Sequence, residues 1–317
     1  AGDKVRILQL KNITKRFEDY VTIDNLSIDI NKGEIYGLVG PYGAGKTTLL
    51  GIMAGLIKPD RGEVFFREQN AVLVNKEMSY GIGFVPQEIA VYDEFSVYEN
   101  IKFFASLYGL KGKELNSAVN QTISLLELED YSKKTPVMLT VGFKRLLNIA
   151  CSICHKPTLL ILDEPTVGID TQTRNFILQI IRALNDAGTT IVYTSHYIDE
   201  IESLCSKIGI IDHGKIIAQG SSEELKSIIT DTTTIIIKSS SVDELDERKL
   251  KKINGVIDVQ VDMSGCSIKI ISSKDVNNLD KIILFFTNNN ISIKNIESTV
   301  PDLEMVFLTL TGRRLTG

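Results

Sequence analysis

No stretch of this 317-residue chain holds the roughly 18 consecutive apolar residues that a bilayer-crossing helix needs. The longest runs, such as TLLIL at Thr158–Leu162, are strand-sized, so the chain itself is not expected to cross a membrane. Nor does its start, AGDKVRILQL, show a basic segment followed by an apolar block, and no secretory signal is expected. Positive charge is in short supply: 35 Lys and Arg stand against 40 Asp and Glu, a net charge of −5, which leaves no electrostatic footprint for nucleic acid. The four cysteines follow no framework spacing and imply a reducing, cytosolic setting rather than a disulfide scaffold. Cys151-Ser-Ile-Cys154-His155 does match the C-x-x-C-H haem-attachment pattern, but it falls inside an apolar helical run, where two core thiols are the expectation. Internal repeats and low-complexity segments are absent as well.

What the chain does have is the balance of an ordinary globular protein, with 43% apolar and 24% charged residues. Its length suits one large domain and one small one. The first thirty residues alternate apolar and polar, as in VRILQLKNI and LSIDI, and predict half-buried antiparallel strands. EIYGLVG (34–40) is a more uniformly apolar strand that runs into glycines. A helical pattern extends from Ser96 to about Glu129, with Val97, Ile101, Phe104 and Leu107 on one face. Strands at 158–163, 189–195 and 206–212 then alternate with helices, one over 171–187, which argues a largely parallel sheet. Beyond residue 228 the chain turns rich in Ile, Ser, Lys and Asn. TTTIIIK, VIDVQVD and SIKIIS read as strands, the last two joined by a Met-Ser-Gly-Cys turn, and helices near 274–287 and 302–311 complete a small α+β unit.

GPYGAGKTT comprises Gly40, Pro41, Tyr42, Gly43, Ala44, Gly45, Lys46, Thr47 and Thr48, and fits G-x-x-x-x-G-K-[ST] between an apolar strand and a helix. Glycines let successive N–H groups turn inward, and the following helix adds its positive end, so the loop makes an anion nest. Lys46 would reach the β- and γ-phosphates of a nucleotide, and Thr47 would hold Mg²⁺. Further on, LLILDEP ends an apolar strand in two carboxylates. Asp163 is placed to hold Mg²⁺ through water and Glu164 to polarise an attacking water.

With these two motifs in family order, the chain resembles the nucleotide-binding ATPase of ABC (ATP-binding cassette) transporters over roughly residues 5–228. FVPQE (84–88) is similar to the family's Q-loop, VGID (167–170) to its D-loop and YTSH (193–196) to its switch-histidine strand end. The resemblance implies a P-loop nucleotide hydrolase of α/β class with antiparallel β and helical subdomains over 1–228, followed by an accessory α+β domain over 229–317. It also implies that Gln87 touches Mg²⁺ or the lytic water and couples the site to a membrane partner. His196 would bond the γ-phosphate, and Asp170 would lie at a dimer seam or cap the helix after it. Phe17 would stack on adenine, with Tyr20 a rival. LTVGFKRLLNIA (139–150) resembles the family's signature segment, which meets the γ-phosphate bound by the opposite subunit. Thr140 keeps a hydroxyl there and Gly142 the close-approach glycine. Val141 replaces the first glycine of the commoner form; a β-branched residue disfavours positive φ, but related exporters carry other residues at that place, and the stretch reads as a working but divergent signature. Tyr42 stands where Asn is usual. VPDLEMVFLTLTGRRL (300–315) is similar to the C-terminal signature of ABC-2-type drug and antibiotic exporters, and is itself an amphipathic helix pattern with Pro301 in its first turn and Leu303, Val306, Phe307 and Leu310 on one face. Its apolar stripe suits packing onto the small sheet, with a dimer-contact or regulatory role as the alternative.

The expectation is therefore an ATPase subunit that dimerises, with itself or with a similar chain, around two MgATP. It would drive a separate transmembrane permease from the cytoplasmic face of the membrane, as an exporter of drugs, peptides or lipids. A hydrolysis-poor regulatory subunit and a non-transport ABC ATPase are the alternatives.

Overall fold

The computed structural model describes residues 5–67, 69–70, 80–228, 232–240, 242, 245–262, 266–299 and 302–312. The chain divides into two compact units, the second spanning Glu223–Gly312.

In the first unit, β1 (Arg6–Phe17) and β2 (Tyr20–Asn31) form an antiparallel pair whose Ile and Leu residues alternate with exposed polar ones. The five residues of β3 (Ile35–Val39) are all buried, as befits a central strand covered on both faces. Helix α1 (Lys46–Met53) follows, then β4 (Arg61–Phe66) and the two-residue β5 (Gln69–Asn70), which extend the antiparallel sheet in the order β2-β1-β4-β5. β6 (Ile82–Val85) leads into a helical stretch of α2 (Val97–Leu107), α3 (Gly112–Leu125) and α4 (Val141–Ile153). The single helical pattern expected over 96–129 is thus two helices. They part at Gly109, whose φ of 89° is open to glycine and strained for other residues. Ser96 starts α2 with a reciprocal capping box, its hydroxyl accepting from Glu99 N while the Glu99 carboxylate accepts from Ser96 N.

The remainder of the unit alternates β7 (Leu159–Leu162), α5 (Thr171–Asp186), β8 (Thr190–Thr194), α6 (Ile198–Leu204), β9 (Lys207–Asp212) and β10 (Lys215–Gly220). These complete a six-stranded sheet of order β10-β9-β3-β8-β7-β6, parallel except for β10 at its edge. One core joins the two sheets across α1, drawing Leu10, Ile13 and Ile23 from the antiparallel sheet, Leu49, Ile52 and Met53 from α1, and Leu38, Leu159 and Ile161 from the parallel one. Burying each such side chain contributes about 1.5–3 kcal/mol. Among the strands not foreseen in the sequence are β4, β6 and β10, each six residues or shorter; β6 and β10 lie at the edges of the parallel sheet, whereas β4 stands between β1 and β5.

Helix α7 (Ser222–Ser227) is followed by β11 (Thr232–Ser239), α8 (Glu247–Leu250), β12 (Val256–Asp262), β13 (Ser267–Ser273), α9 (Leu279–Asn288), β14 (Ile293–Thr299) and α10 (Leu303–Thr311). The four strands form an antiparallel sheet of order β12-β13-β11-β14 around Ile237, Ile268, Ile270, Ile282 and Phe286. Of the Met-Ser-Gly-Cys turn, residues 263–265 lie outside the described residues, as does Pro301. In α10, Leu303, Val306 and Phe307 are buried and Leu310 is half-buried. Thr234 of β11 lies 2.8 Å from the Met305 sulfur and Lys269 of β13 pairs with Asp302 at 3.0 Å, so the helix is fastened to this unit's own sheet. Those buried stripe residues are not available for the alternative contact with a second chain.

Candidate active site

Because β3, β6, β7 and β8 run parallel, the residues that follow them, Gly40, Gln87, Asp163 and His196, emerge at the same end of the sheet. In open α/β sheets this carboxyl end is where ligands bind.

The loop after β3 is shaped by its glycines. A Cβ on Gly40 would meet Ile211 O at 2.4 Å, and Gly45 combines a φ of 102° with Thr22 O at 2.8 Å from any added Cβ. Gly45 N-caps α1 without a side chain, which leaves the first N–H groups of that helix directed at the loop. Pro41 and Ala44 are buried, and Ala44 O accepts from Gly214 N at 3.0 Å, which ties the loop to the β9–β10 turn. Tyr42 points away, 95% exposed. Thr47 is exposed and Thr48 half-buried on the first turn of α1. Lys46 is buried and donates to Gly40 O at 2.6 Å and Pro41 O at 3.1 Å. Burial pushes its ammonium pKa down, against the opposing pull of Glu164 and Asp163.

The two carboxylates follow β7 and are both buried. Thr194, at the tip of β8, serves them together: its hydroxyl donates to Asp163 Oδ1 and accepts from Glu164 N, each at 2.9 Å. Sequence reading missed Thr194, whose only signal is its place two residues before His196. Glu164 adopts a φ of 48°, a left-handed conformation that a non-glycine residue holds at a cost of about 1–3 kcal/mol. That backbone turn aims its carboxylate between two side chains: Oε1 lies 2.7 Å from His196 Nε2, and Oε2 accepts from Gln87 Nε2 at 3.0 Å. Burial raises the Glu164 pKa above the usual carboxylate range. His196 and Lys46 oppose the shift, and Asp163 adds to it.

Gln87 owes its place to α4. Asn148 and Arg145 both donate to Pro86 O, Asn148 donates also to Glu88 O and accepts from Ala90 N, and Ser152 donates to Phe84 O at 2.7 Å. The spacing 145, 148, 152 sets these side chains on one face of the helix. Cys151 and Cys154 point into the core from the same helix, with burial raising both thiol pKa values, and His155 stacks on Tyr108 with ring centroids 3.5 Å apart. Burial holds the His155 pKa down at about 4. The Cys-x-x-Cys-His run is therefore packing.

The remaining sequence-chosen residues stand on other elements. Thr140 is the exposed N-cap of α4, accepting from Phe143 N at 3.4 Å. Val141 occupies the first helical position and is not among the residues with positive φ. The backbone conflict expected for a β-branched residue there does not arise, because capping by Thr140 sets Val141 inside the helix. Gly142 packs on α5, where a Cβ would meet Thr173 Oγ1 at 2.9 Å. Asp170 caps α5, accepting from Thr173 N at 2.9 Å and from the Thr173 hydroxyl at 2.7 Å, and these bonds hold its pKa low. Phe17 and Tyr20 face each other across the β1–β2 turn, both exposed, with Lys15 Nζ 5.3 Å from the Phe17 ring centroid.

Among the described residues no group of three or more His, Cys, Asp or Glu side chains could hold a metal. Thr47, Asp163 and Gln87 offer oxygen donors with a single carboxylate, a set that fits a hard Mg²⁺ ion taking most of its ligands from phosphate and water.

A glycine loop that turns N–H groups inward, a buried lysine within it and an acid pair at the next strand tip define a P-loop nucleotide hydrolase. A family model described as ABC transporter matches residues 23–167. The linearmycin resistance ATP-binding protein LnrL of Bacillus subtilis is 36% identical over 312 residues, covering 98% of this chain and 99% of that protein. The Nod factor export ATP-binding protein I of Sinorhizobium fredii is 32% identical over 308 residues, 97% of this chain and 87% of that one. Among solved structures, the dimeric post-hydrolysis state of the ATP-binding cassette MJ0796, bound to ADP and Pi, aligns with a TM-score of 0.62 at 26% identity over 68% of this chain and 98% of its own. A nucleotide-free cassette of an ABC transporter aligns with a TM-score of 0.63 at 25% identity over 71% of this chain and 96% of its own. This chain belongs to the ATP-binding proteins of ABC transporters, and it is an ATPase. No helix among its described residues is long and apolar enough to cross a membrane.

Proposed function

We propose that this chain is the nucleotide-binding subunit of an exporter, pairing with a second copy around two MgATP and driving a separate permease at the inner face of the membrane. The observation that carries the reading is the convergence of His196 and Gln87 on the buried Glu164, at the sheet end that also bears the Lys46 loop. The full-length likeness to proteins named for linearmycin resistance and Nod factor export supports the export direction.

In this reading the loop amides and Lys46 take the β- and γ-phosphates. Thr47, Asp163 and Gln87 would hold Mg²⁺, which supplies charge neutralisation between those phosphates. Glu164 takes a proton from the attacking water as the water oxygen bonds the γ-phosphorus and the bond to the β–γ bridging oxygen breaks, giving ADP and phosphate. Burial raises its pKa, which makes it a better proton acceptor than an ordinary carboxylate. His196 orients Glu164 and the γ-phosphate, and Phe17 stacks on adenine. Thr140 and Gly142 at the start of α4 meet the γ-phosphate of the facing copy, where the helix N-terminus favours negative charge. The permease docks beside the Gln87 loop, where Tyr92 and Phe95 join Phe103 in a cluster with centroids 5.1–5.7 Å apart, and Tyr92 is exposed.

The test is the light-scattering mass of Glu164→Gln with and without MgATP. Doubling of the mass on adding MgATP is the expected result. A chain that binds ATP with undiminished affinity yet stays monomeric removes the symmetric dimer.

A further inference from the structure

Glu200 is a buried acid for which the catalytic reading has no use. It lies on α6, four residues after His196, and is 1% exposed. Its Oε2 accepts from the Tyr193 hydroxyl at 2.6 Å, the Ser195 hydroxyl at 2.5 Å and the Thr166 hydroxyl at 2.9 Å, and its Oε1 accepts from Arg174 Nε. Four donors match the acceptor capacity of one carboxylate. Thr166, Tyr193 and Ser195 are themselves buried, so none of these bonds is traded freely with water.

The donors come from three places that matter to the site. Thr166 is two residues past Glu164. Ser195 immediately precedes His196, and its hydroxyl also accepts from Tyr197 N at 3.0 Å, which closes the turn that presents the imidazole. Arg174 lies on α5 in the first turn after the Asp170 cap. Besides Glu200 it reaches Asp199 at 2.9 Å, and it stacks its guanidinium 4.1 Å from the Tyr197 ring centroid. One carboxylate thus fastens the backbone on both sides of the 2.7 Å contact between His196 and Glu164, and ties that contact to the start of α5.

We propose that Glu200 is a positioning residue for hydrolysis. Through Ser195 and Thr166 it sets the alignment of His196 with Glu164, and through Arg174 it makes that alignment answer to the 167–170 segment at the head of α5. The inference rests on the reading of Glu164 and His196 as hydrolytic machinery. A misplacement of about 1 Å is enough to slow a reaction about a hundredfold, so a support that touches neither substrate nor metal still governs turnover.

The experiment uses the full chain and two variants. Glu200→Gln keeps the side chain's shape but replaces one acceptor by a donor. Ser195→Ala removes only the link to the His196 turn and leaves the Arg174 pair in place, so it decides the matter if Glu200→Gln does not fold. The chain has three histidines, so the imidazole proton resonances of His155, His196 and His213 are separable. Both variants are expected to lower kcat about tenfold or more with KM for MgATP within about threefold, and to move the His196 resonance while the buried His155 resonance stays in place. A folded Ser195→Ala protein with unchanged kcat, or with lost kcat and an unmoved His196 resonance, overturns the proposal. Controls separate the two failures: if Glu164→Gln and His196→Ala themselves hydrolyse ATP normally, the catalytic reading falls, whereas if they are inactive and the Glu200 and Ser195 variants are not, this inference alone falls.

Discussion

The strand-tip half of the site and the α4 half are built to different standards. At the tips of β7 and β8, Asp163, Glu164 and Thr194 are buried and bonded to one another, and Glu164 holds a strained φ of 48°. At the head of α4, Thr140 and Val141 are exposed, and the one side-chain bond there among the described residues is a helix cap. Buried charge has to be satisfied from within, because the penalty for an unpaired group is several kcal/mol. An exposed helix end has water to serve it, so it is free to wait for an anion from outside. On the proposed function, the chain thus fixes in advance the groups that act on its own nucleotide and leaves lightly dressed the surface it would offer to a second copy.

The sharpest way to break that contrast is Glu164→Gln. Removing the general base should slow phosphate release about 10²–10⁴-fold with ATP affinity retained, measured by steady-state turnover beside equilibrium binding. Because burial raises the Glu164 pKa, the acid limb of the wild-type kcat profile should lie above pH 4.5, with activity gained as pH rises through it and the carboxyl ionises. A limb at or below that value would contradict the burial argument. Next in size is Lys46→Ala, which removes charge-assisted bonds worth about 1.5–3 kcal/mol and should weaken ATP binding about 10–100-fold in calorimetry. Gly142→Ala tests the α4 half. Its methyl would press on Thr173 at about 3 Å, and the overpacking should cost about 1–3 kcal/mol in chemical denaturation. Smallest is Val141→Gly, expected to lose about 0.5–1 kcal/mol of stability with turnover within twofold. A large gain in turnover would mean that the valine does crowd a phosphate.

How legible each half was in the sequence follows the same division. The phosphate loop could be read because its chemistry is backbone chemistry: Gly43 and Gly45 hold positive φ, and Gly40 has no room for a Cβ beside Ile211 O. Asp163 and Glu164 were marked by the four apolar residues before them. Glu200 and Arg174 were not legible, since acids after His196 look like an ordinary solvated helix start and their partners lie 26 residues apart in the chain. Val141 was read as a tolerated departure from the usual glycine, and its place inside the helix gives the physical reason on the backbone side. With Thr140 as the cap, the next position already has helical φ, and a hydroxyl residue at 140 is the sequence sign of that start. The break between α2 and α3 was hidden because apolar residues keep helical spacing on both sides of Gly109.

The hold of Gly40 O and Pro41 O on Lys46 Nζ has a kinetic side. The ammonium is parked on its own loop, so an incoming nucleotide finds the cradle already in shape and exchanges two neutral acceptors for one anionic oxygen. On the proposed reading little ordering is left for the encounter itself, which lowers the entropic cost of capture. The same exchange is a filter on cargo for the loop: a ligand whose phosphate chain is too short to reach the lysine gains the amides but leaves the ammonium on its tether. On the proposed reading, selection between a nucleoside monophosphate and its longer relatives would rest on that one side chain's resting place.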